Sequence, residues 1–338
     1  TRESARITLL LLAKELICEG HTVTVFARKA AGLPAYERIE GVPVYRAKTL
    51  FHMPRAVRKH QQKERFDIIH SFSATPLFAV ISRLSRINAQ TKLIHTLKSY
   101  SKHESTNWYF PLRCIDYVTV PTATHAQKIS VKKIKLKIIH SPIDLRKFKP
   151  ADKKYLKEKY SYEDKKVLLY YGALWSGKGV EILIQSLPLL IPQFPELKLI
   201  IAPRYPNISG QQELVKKLNL EKEVDFVIEP SCIEEYVAMA DVVVLPYLNL
   251  QGTEGNPSCL LEALACKTAV VTSDLPELRE IADKVVRFAP PQDVSALAQE
   301  IAESLRNHQA PMIEKAFIIS KKFDVATIVK DFLVIYEH

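Results

Sequence analysis

The stretch EGNPSCLLEALACKTAVVTSD, residues 254–274, reads as a tight turn, a helix from Pro257 to Cys266 and a β-branched strand from Thr268 to Thr272. Asn256 is a good N-cap, and Pro257 suits the first helical position. The N–H groups of Ser258, Cys259 and Leu260 then lack helical acceptors, and a helix end of this kind binds phosphate. Gly255 lets the backbone approach a ligand closely. Two carboxylates bracket that helix end, Glu254 before the turn and Glu262 on the second helical turn. Taken alone, the pattern also fits a plain capped helix with an exposed glutamate.

Outward from this unit, apolar strands alternate with helices in both directions. Strands are expected at 166–171, 197–202, 224–228 and 241–246, with helices at 179–190, 211–218 and 231–240 between them. Earlier in the chain, strands are expected at 21–26, 41–45, 66–70, 92–96, 117–120 and 137–140, with helices at 4–19, 54–63, 76–84 and from 123. Helical periodicity returns at 294–305 and 325–336. Alternation of this kind predicts an α/β fold with two doubly wound parallel sheets. The polar, lysine-rich stretch from Ser141 to Asp164 marks the division. We expect a first domain over 1–148, a linker over 149–165, a second domain over 166–320 and a final helical segment over 321–338. A doubly wound half ordinarily opens with a strand and a glycine-rich turn before its first helix. This chain opens on the helix, so that strand and loop are expected to be missing from the sequence.

A chain of 338 residues, 47% apolar and 25% charged, has ample material for two cores. No apolar run reaches about 18 residues, the length of a membrane-spanning helix. The apolar run after Arg6 is followed by Lys14, Glu15 and Glu19 and reads as a helix face rather than a signal peptide. Five cysteines without a Cys-x-x-Cys pair argue against disulfides and zinc and fit a reducing cytoplasm. The net charge of +11 divides into +17 over residues 1–150 and −6 over 151–338. A basic first half calls for an anionic partner. No stacking ladder, helix-turn-helix or RNA-recognition signature accompanies it, so nucleic acid is not expected. Arg55, Arg58, Lys59, Lys63 and Arg65 fall on or near one polar helix, and Lys128, Lys132, Lys133, Lys135 and Lys137 form a second group. Both are suited to peripheral contact with the anionic inner face of a membrane.

A second element pairs with the opening stretch: Tyr171-Gly172-Ala173-Leu174-Trp175-Ser176-Gly177-Lys178-Gly179-Val180. It reads as a strand, a glycine-bearing turn and a helix start, with Lys178 between two glycines and placed to meet a diphosphate. The GxxxxGK[ST] spacing of a Walker loop is absent. Together, Glu254 through Cys266 and this turn resemble the retaining glycosyltransferases of family four, whose Glu-x7-Glu motif they match. Supporting pieces are Gly20-His21-Thr22-Val23, Phe66-Asp67-Ile68-Ile69-His70, Ser141 through Pro150, and Ala240-Asp241-Val242-Val243-Val244-Leu245-Pro246.

The resemblance implies a GT-B fold of two facing Rossmann-like domains, with the C-terminal helix crossing back to the first. It implies transfer of a sugar from a UDP- or GDP-type nucleotide donor to a lipid-linked or saccharide acceptor, with retention and without a metal. The nucleotide-sugar is a co-substrate, and no other cofactor is implied. Glu254 would bind the donor sugar and face charge developing at the anomeric carbon. Glu262 would hold the ribose, and Lys178 would neutralise the leaving diphosphate. The turn at Gly172 and the amides of Ser258, Cys259 and Leu260 would assist. Two positions depart from the family's pattern. Ala173 stands where an arginine is usual, and Lys98, the third candidate catalytic residue, stands where the first-domain loop usually carries histidine and could donate to a sugar hydroxyl or phosphate. They leave open a second reading, a catalytically silent relative that binds nucleotide-sugar or a partner. His70 and His95 read as satisfied core histidines.

Overall fold

The computed structural model describes residues 4–99, 106–129, 134–251, 255–307 and 310–337. Two compact units result. One comprises residues 1–142, 251–255 and 325–338, and the other 143–250 and 256–324.

The first unit runs α1 (Ser4–Cys18), β1 (Val25–Arg28), β2 (Tyr36–Ile39), β3 (Val42–Ala47), α2 (Met53–Gln61), β4 (Ile68–Ser73), α3 (Leu77–Ser85), β5 (Lys92–Leu97), β6 (Tyr117–Val120), α4 (Ala123–Lys128) and β7 (Leu136–Ile138). Its strands form two sheets rather than the single parallel one expected. Strands β4-β5-β6-β7 are parallel throughout, while β1-β3-β2 carries an antiparallel edge. Strand β2 was not expected. It joins β3 through Glu40 and Gly41, both at positive φ (48° and 86°), the primed turn that matches the twist of a hairpin. Glutamate is an unusual residue there, which hid the hairpin. Strands β1 and β4 do not pair with each other, and a cavity of about 670 Å³ lies between them, walled by Leu12, Leu16, Phe26, Ile68 and Phe72.

The second unit runs α5 (Lys153–Lys159), β8 (Lys166–Gly172), α6 (Val180–Leu190), β9 (Leu197–Pro203), α7 (Ser209–Lys217), β10 (Val224–Phe226), α8 (Ile233–Met239), β11 (Val242–Leu245), α9 (Ser258–Ala265), β12 (Ala269–Ser273), α10 (Pro276–Ala282), β13 (Arg287–Ala289), α11 (Val294–Arg306) and α12 (Ala310–Ser320). Its six strands are all parallel, in the order β10-β9-β8-β11-β12-β13. The β-branched runs fill the core with Val242, Val244, Val271, Leu199 and Ile201, against Leu183, Leu187 and Ile301 of the covering helices.

The expected linker is structured. Asp152 caps α5 by accepting from the Tyr155 amide at 3.1 Å. Its lysines are tied down: Lys153 Nζ donates to the Ala240 carbonyl at 2.8 Å and Lys157 Nζ to Asp241 at 2.7 Å. The same carboxylate accepts the Val167 amide at 2.7 Å, so one aspartate fixes a helix and a strand. The division between the units falls at Pro142 and Ile143, because Ile143 donates to the Phe323 carbonyl at 2.9 Å within the second unit.

The last helix, α13 (Val325–Glu337), belongs to the first unit. Val325, Ile328, Val329, Phe332 and Ile335 bury against Leu12, Ile94 and Ile139. Lys92 Nζ reaches the terminal carbonyls of Ile335 and Tyr336 at 3.1 and 2.8 Å, supplying donors that a helix end lacks.

Beneath α13 lies a buried polar ladder. His70 bonds the Tyr336 hydroxyl and Thr96, both at 2.7 Å, and His95 Nδ1 bonds Ser71 at 2.7 Å. His95 is buried, but its Nε2 has no hydrogen-bond partner among the described residues, so it is not the fully satisfied core histidine expected; His70 is half-buried with both ring nitrogens bonded. Burial pushes His95 from the ordinary 6.5 down to about 3. Burial first, then the charges of His95 and Lys98, holds His70 well below 6.5. Folded His95 stays neutral while the unfolded ring protonates, so its contribution to stability is lost as pH falls from about 6.5 toward 3, by roughly 1.4 kcal/mol per pH unit, and His70 acts in the same direction. Urea midpoints followed from pH 7 to 5 check this: His95→Asn should lose stability less steeply than the wild type, and parallel slopes would remove the ring from the account.

Candidate active site

In an open parallel sheet, ligands bind beyond the carboxyl ends of the strands where the strand order reverses. The second unit reverses between β8 and β11: the chain passes from β8 to β9 and β10 on one side, then returns to β11 on the other. The loops leaving β8 and β11 therefore meet there. Gly179 starts α6 in the left-handed region, φ 67°, and a Cβ on it would lie 1.9 Å from the Pro246 carbonyl oxygen. Leu248 N donates to the Gly177 carbonyl at 3.0 Å and fastens the same two loops. Lys178, between the two glycines, holds its ammonium 4.6 Å from the Tyr247 ring centre and 5.5 Å from that of Trp175. Aromatic faces attract a cation without neutralising it.

The helix of the opening stretch begins one residue later than expected. Pro257 is the N-cap, with φ −59° and ψ 129°, and Asn256 precedes it, fully buried. The Pro257 carbonyl accepts the Leu261 amide at 3.5 Å and the Leu260 amide at 3.1 Å. Leu260 is thus corrected as a ligand donor, since its N–H is used within the helix. The amides of Ser258 and Cys259 are those without an intrahelical acceptor. Strand β8 and α9 are stitched together by the Tyr171 hydroxyl donating to the Cys259 carbonyl at 2.9 Å and Cys259 Sγ donating to the Tyr171 carbonyl at 3.5 Å.

Glu262 is half-buried on the second turn of α9. Burial, followed by the Glu262 carboxylate, pushes the Tyr171 hydroxyl well above its ordinary 10 and the Cys259 thiol up to about 12. Two cations pull against that rise at Cys259, Arg204 and Lys178. Arg204, which the sequence reading did not single out, follows β9, and its amide donates to the Gly172 carbonyl at 2.7 Å. The available signal was an arginine at the carboxyl end of an apolar strand beside the one that ends in the glycine turn.

The structure thus gathers Gly172, Lys178, Ser258, Cys259 and Glu262 at one switch point. Lys98 and Gly255 belong to the first unit. Lys98 follows β5, is buried, and donates to Ser141 Oγ at 2.8 Å. A Cβ on Gly255 would lie 3.1 Å from both Pro121 and Thr122, which accounts for glycine at that position. Glu254 lies outside the described residues, as do Lys132 and Lys133 of the second basic group. Among the described residues no group of three His, Cys, Asp or Glu side chains is arranged to hold a metal ion.

The strand order, the paired glycine turns and the helix start define a Rossmann-like unit. The family model for glycosyl transferases group 1 matches residues 152–318, and that for glycosyltransferase family 4 matches residues 5–147. The chain belongs to this glycosyltransferase family, and its fold is GT-B, built of two Rossmann-like units. Among its relatives is the phosphatidylinositol N-acetylglucosaminyltransferase GPI3 subunit of Saccharomyces cerevisiae, 21% identical over 96% of this chain and 77% of that protein. The phosphatidyl-myo-inositol mannosyltransferase of Mycolicibacterium smegmatis is 28% identical over 47% of this chain and 42% of its own. Among solved structures, Anabaena HepE in complex with UDP is similar with a TM-score of 0.79 at 18% identity, covering 100% of this chain and 97% of that one. Sucrose-phosphate synthase from Thermosynechococcus elongatus gives 0.80 at 19% identity, covering 99% and 93%.

Gly179→Ala places a methyl group on the Pro246 carbonyl in a strained backbone region, and is expected to lower stability by roughly 2 kcal/mol or more. Gly210→Ala, with nothing within 4 Å, is the control and should lie within about 1 kcal/mol of wild type. Denaturant unfolding measures both; a Gly179→Ala protein of wild-type stability would mean that the two loops do not hold this approach.

Proposed function

We propose that this glycosyltransferase moves a sugar from a UDP- or GDP-type nucleotide donor to a lipid-linked or saccharide acceptor, with retention and without a metal ion. The observation that carries the reading is the meeting of Lys178, the first turn of α9 and Glu262 at the switch point of one sheet. In this reading Glu262 takes the ribose, and Lys178 with the Ser258 and Cys259 amides takes the diphosphate. Glu254 is assigned the donor sugar and the charge that develops at its anomeric carbon. Donors fixed where charge develops are worth roughly 3–4 kcal/mol each in the best cases. The relatives support the reading: one is a phosphatidylinositol N-acetylglucosaminyltransferase subunit, one a phosphatidyl-myo-inositol mannosyltransferase, and HepE was solved with UDP and with UDP-glucose.

A thermal-shift panel of UDP, GDP and their common sugars tests donor class. Stabilisation by one base and release of free nucleotide diphosphate are expected. No shift with any of them would count against the reading, and a shift without turnover would favour the silent relative. Glu254→Ala should abolish turnover while the fold survives, and Glu262→Ala should weaken nucleotide binding about tenfold or more, as titration calorimetry would show.

We further propose peripheral contact with an anionic leaflet through α2. Its Met53, Val57 and Gln61 face inward, whereas Arg55, Arg58 and Lys59 are exposed, and Phe51 just ahead of them is 95% exposed. A ring beside cations suits a lipid surface, each charge adding about 1 kcal/mol near it. Among the described residues no helix is long and apolar enough to cross a membrane. Sedimentation with anionic vesicles should exceed that with neutral ones and drop for Phe51→Ser combined with Arg58→Ser; equal sedimentation in both vesicle types would sink the idea.

A further inference from the structure

Arg204 is the second cation of the switch point, and it arrives by a route separate from Lys178. Strand β9 pairs with β8 to its last residue, Gly172 opposite Pro203, so Arg204 leaves the sheet beside the glycine turn. The Arg204 amide bond to the Gly172 carbonyl, 2.7 Å, fixes its Cα there whatever its side chain does. The residue is half-buried. Among the described residues its guanidinium makes no hydrogen bond and no ion pair. Its charge is felt at Tyr170, Tyr247 and Cys259, which come from β8, the loop after β11 and the first turn of α9. Lys178 is felt at Cys259 as well. The acidic groups sensed in the same place are Glu262, at Tyr247 and Cys259, and Glu181, at Tyr170. Glu181 is engaged by Gln211 at 2.7 Å, and neither carboxylate pairs with Arg204.

A half-buried arginine whose backbone is fixed beside the glycine turn and whose charge reaches the first turn of α9, with no carboxylate bonded to it among the described residues, favours an anion in the same place. The turn after β8 offers only one cation of its own, because the residue after Gly172 is Ala173, whose carbonyl is taken by the Tyr170 hydroxyl. A diphosphate carries more than one negative charge, and a single lysine leaves part of it uncompensated. Arginine's planar fork can take two oxygens at once, which a lysine cannot.

We propose that Arg204 is a ligand of the donor's diphosphate and that, with Lys178, it forms a two-cation clamp drawn from two different strands. The inference rests on the nucleotide-donor reading above. The test is titration calorimetry of the chain and its Arg204→Ala, Arg204→Lys and Lys178→Ala variants with three probes: inorganic pyrophosphate, UDP or GDP (whichever binds), and the matching nucleoside. Arg204→Ala should weaken pyrophosphate and the nucleoside diphosphate at least tenfold and leave the nucleoside unchanged. Arg204→Lys should recover only part of the loss. Unaltered unfolding midpoints are expected, since the bond to Gly172 uses the backbone. Wild-type affinity of Arg204→Ala for both phosphate probes would overturn the inference while leaving the donor reading standing if Lys178→Ala still weakens them. Arg204-dependent binding of pyrophosphate with no binding of UDP or GDP would support the anion site and overturn the donor reading. No binding of pyrophosphate by the wild type would overturn the clamp.

Discussion

The Pro246 carbonyl oxygen occupies the place where a side chain on Gly179 would go, and the second unit is arranged around that contact. Two parallel strands that run in opposite directions of the strand order must send their loops past each other at their carboxyl ends. Only a residue without Cβ, in the left-handed region, lets one backbone lie on the other. Once they touch, α6 starts at a fixed point and Lys178 is set between two rings. The loop after β11 is likewise bound to Gly177 through Leu248. The glycine at 179 is thus a geometric condition for the crevice, independent of any ligand.

A second constraint works through side chains. Asp241 holds Lys157 and the Val167 amide together, joining α5 to β8, and Tyr171 joins β8 to the first turn of α9. The strand that bears the glycine turn is consequently anchored at both ends. In the first unit the equivalent cohesion is polar and buried: His70, Thr96 and Tyr336 tie β4 and β5 to the final helix, while Lys92 closes that helix's carboxyl end. These ties concentrate charge and hydrogen bonds beneath the surface, where they depend on pH.

Much of this was legible in the sequence because the second unit repeats one signal. Strands β8, β9, β11 and β12 are runs of valine, leucine or isoleucine bounded by helices, and a parallel sheet buried on both faces leaves just that pattern. The cap of α9 was misplaced by one residue because asparagine and proline each have a claim to that end of a helix, and only the ψ angle of Pro257 separates them. The lysines of α5 read as part of a linker because their acceptors, Ala240 and Asp241, are more than eighty positions distant. The hairpin at Glu40 was hidden by its residue type. Arg204 was passed over for a related reason: it lies beside Gly172 only through strand pairing, and nothing near it in the chain announces that neighbour. That Glu262 and Lys178 both act on Cys259 at one switch point agrees with their expected places, since each follows the carboxyl end of a strand.

Cys259 gives the crevice a character that its position would not suggest. A sulfur at the first turn of a helix is ordinarily made more acidic by the amide dipoles and becomes reactive. Here burial and the Glu262 carboxylate outweigh both nearby cations and keep the thiol protonated up to about 12. Its hydrogen is spent on the Tyr171 carbonyl. At neutral pH such a sulfur carries little thiolate, the form that attacks carbon or an alkylating reagent. Cys18, exposed at the end of α1, is where a thiol reagent would react first. Among the groups gathered at the crevice, the sulfur is the one kept in its protonated, unreactive form.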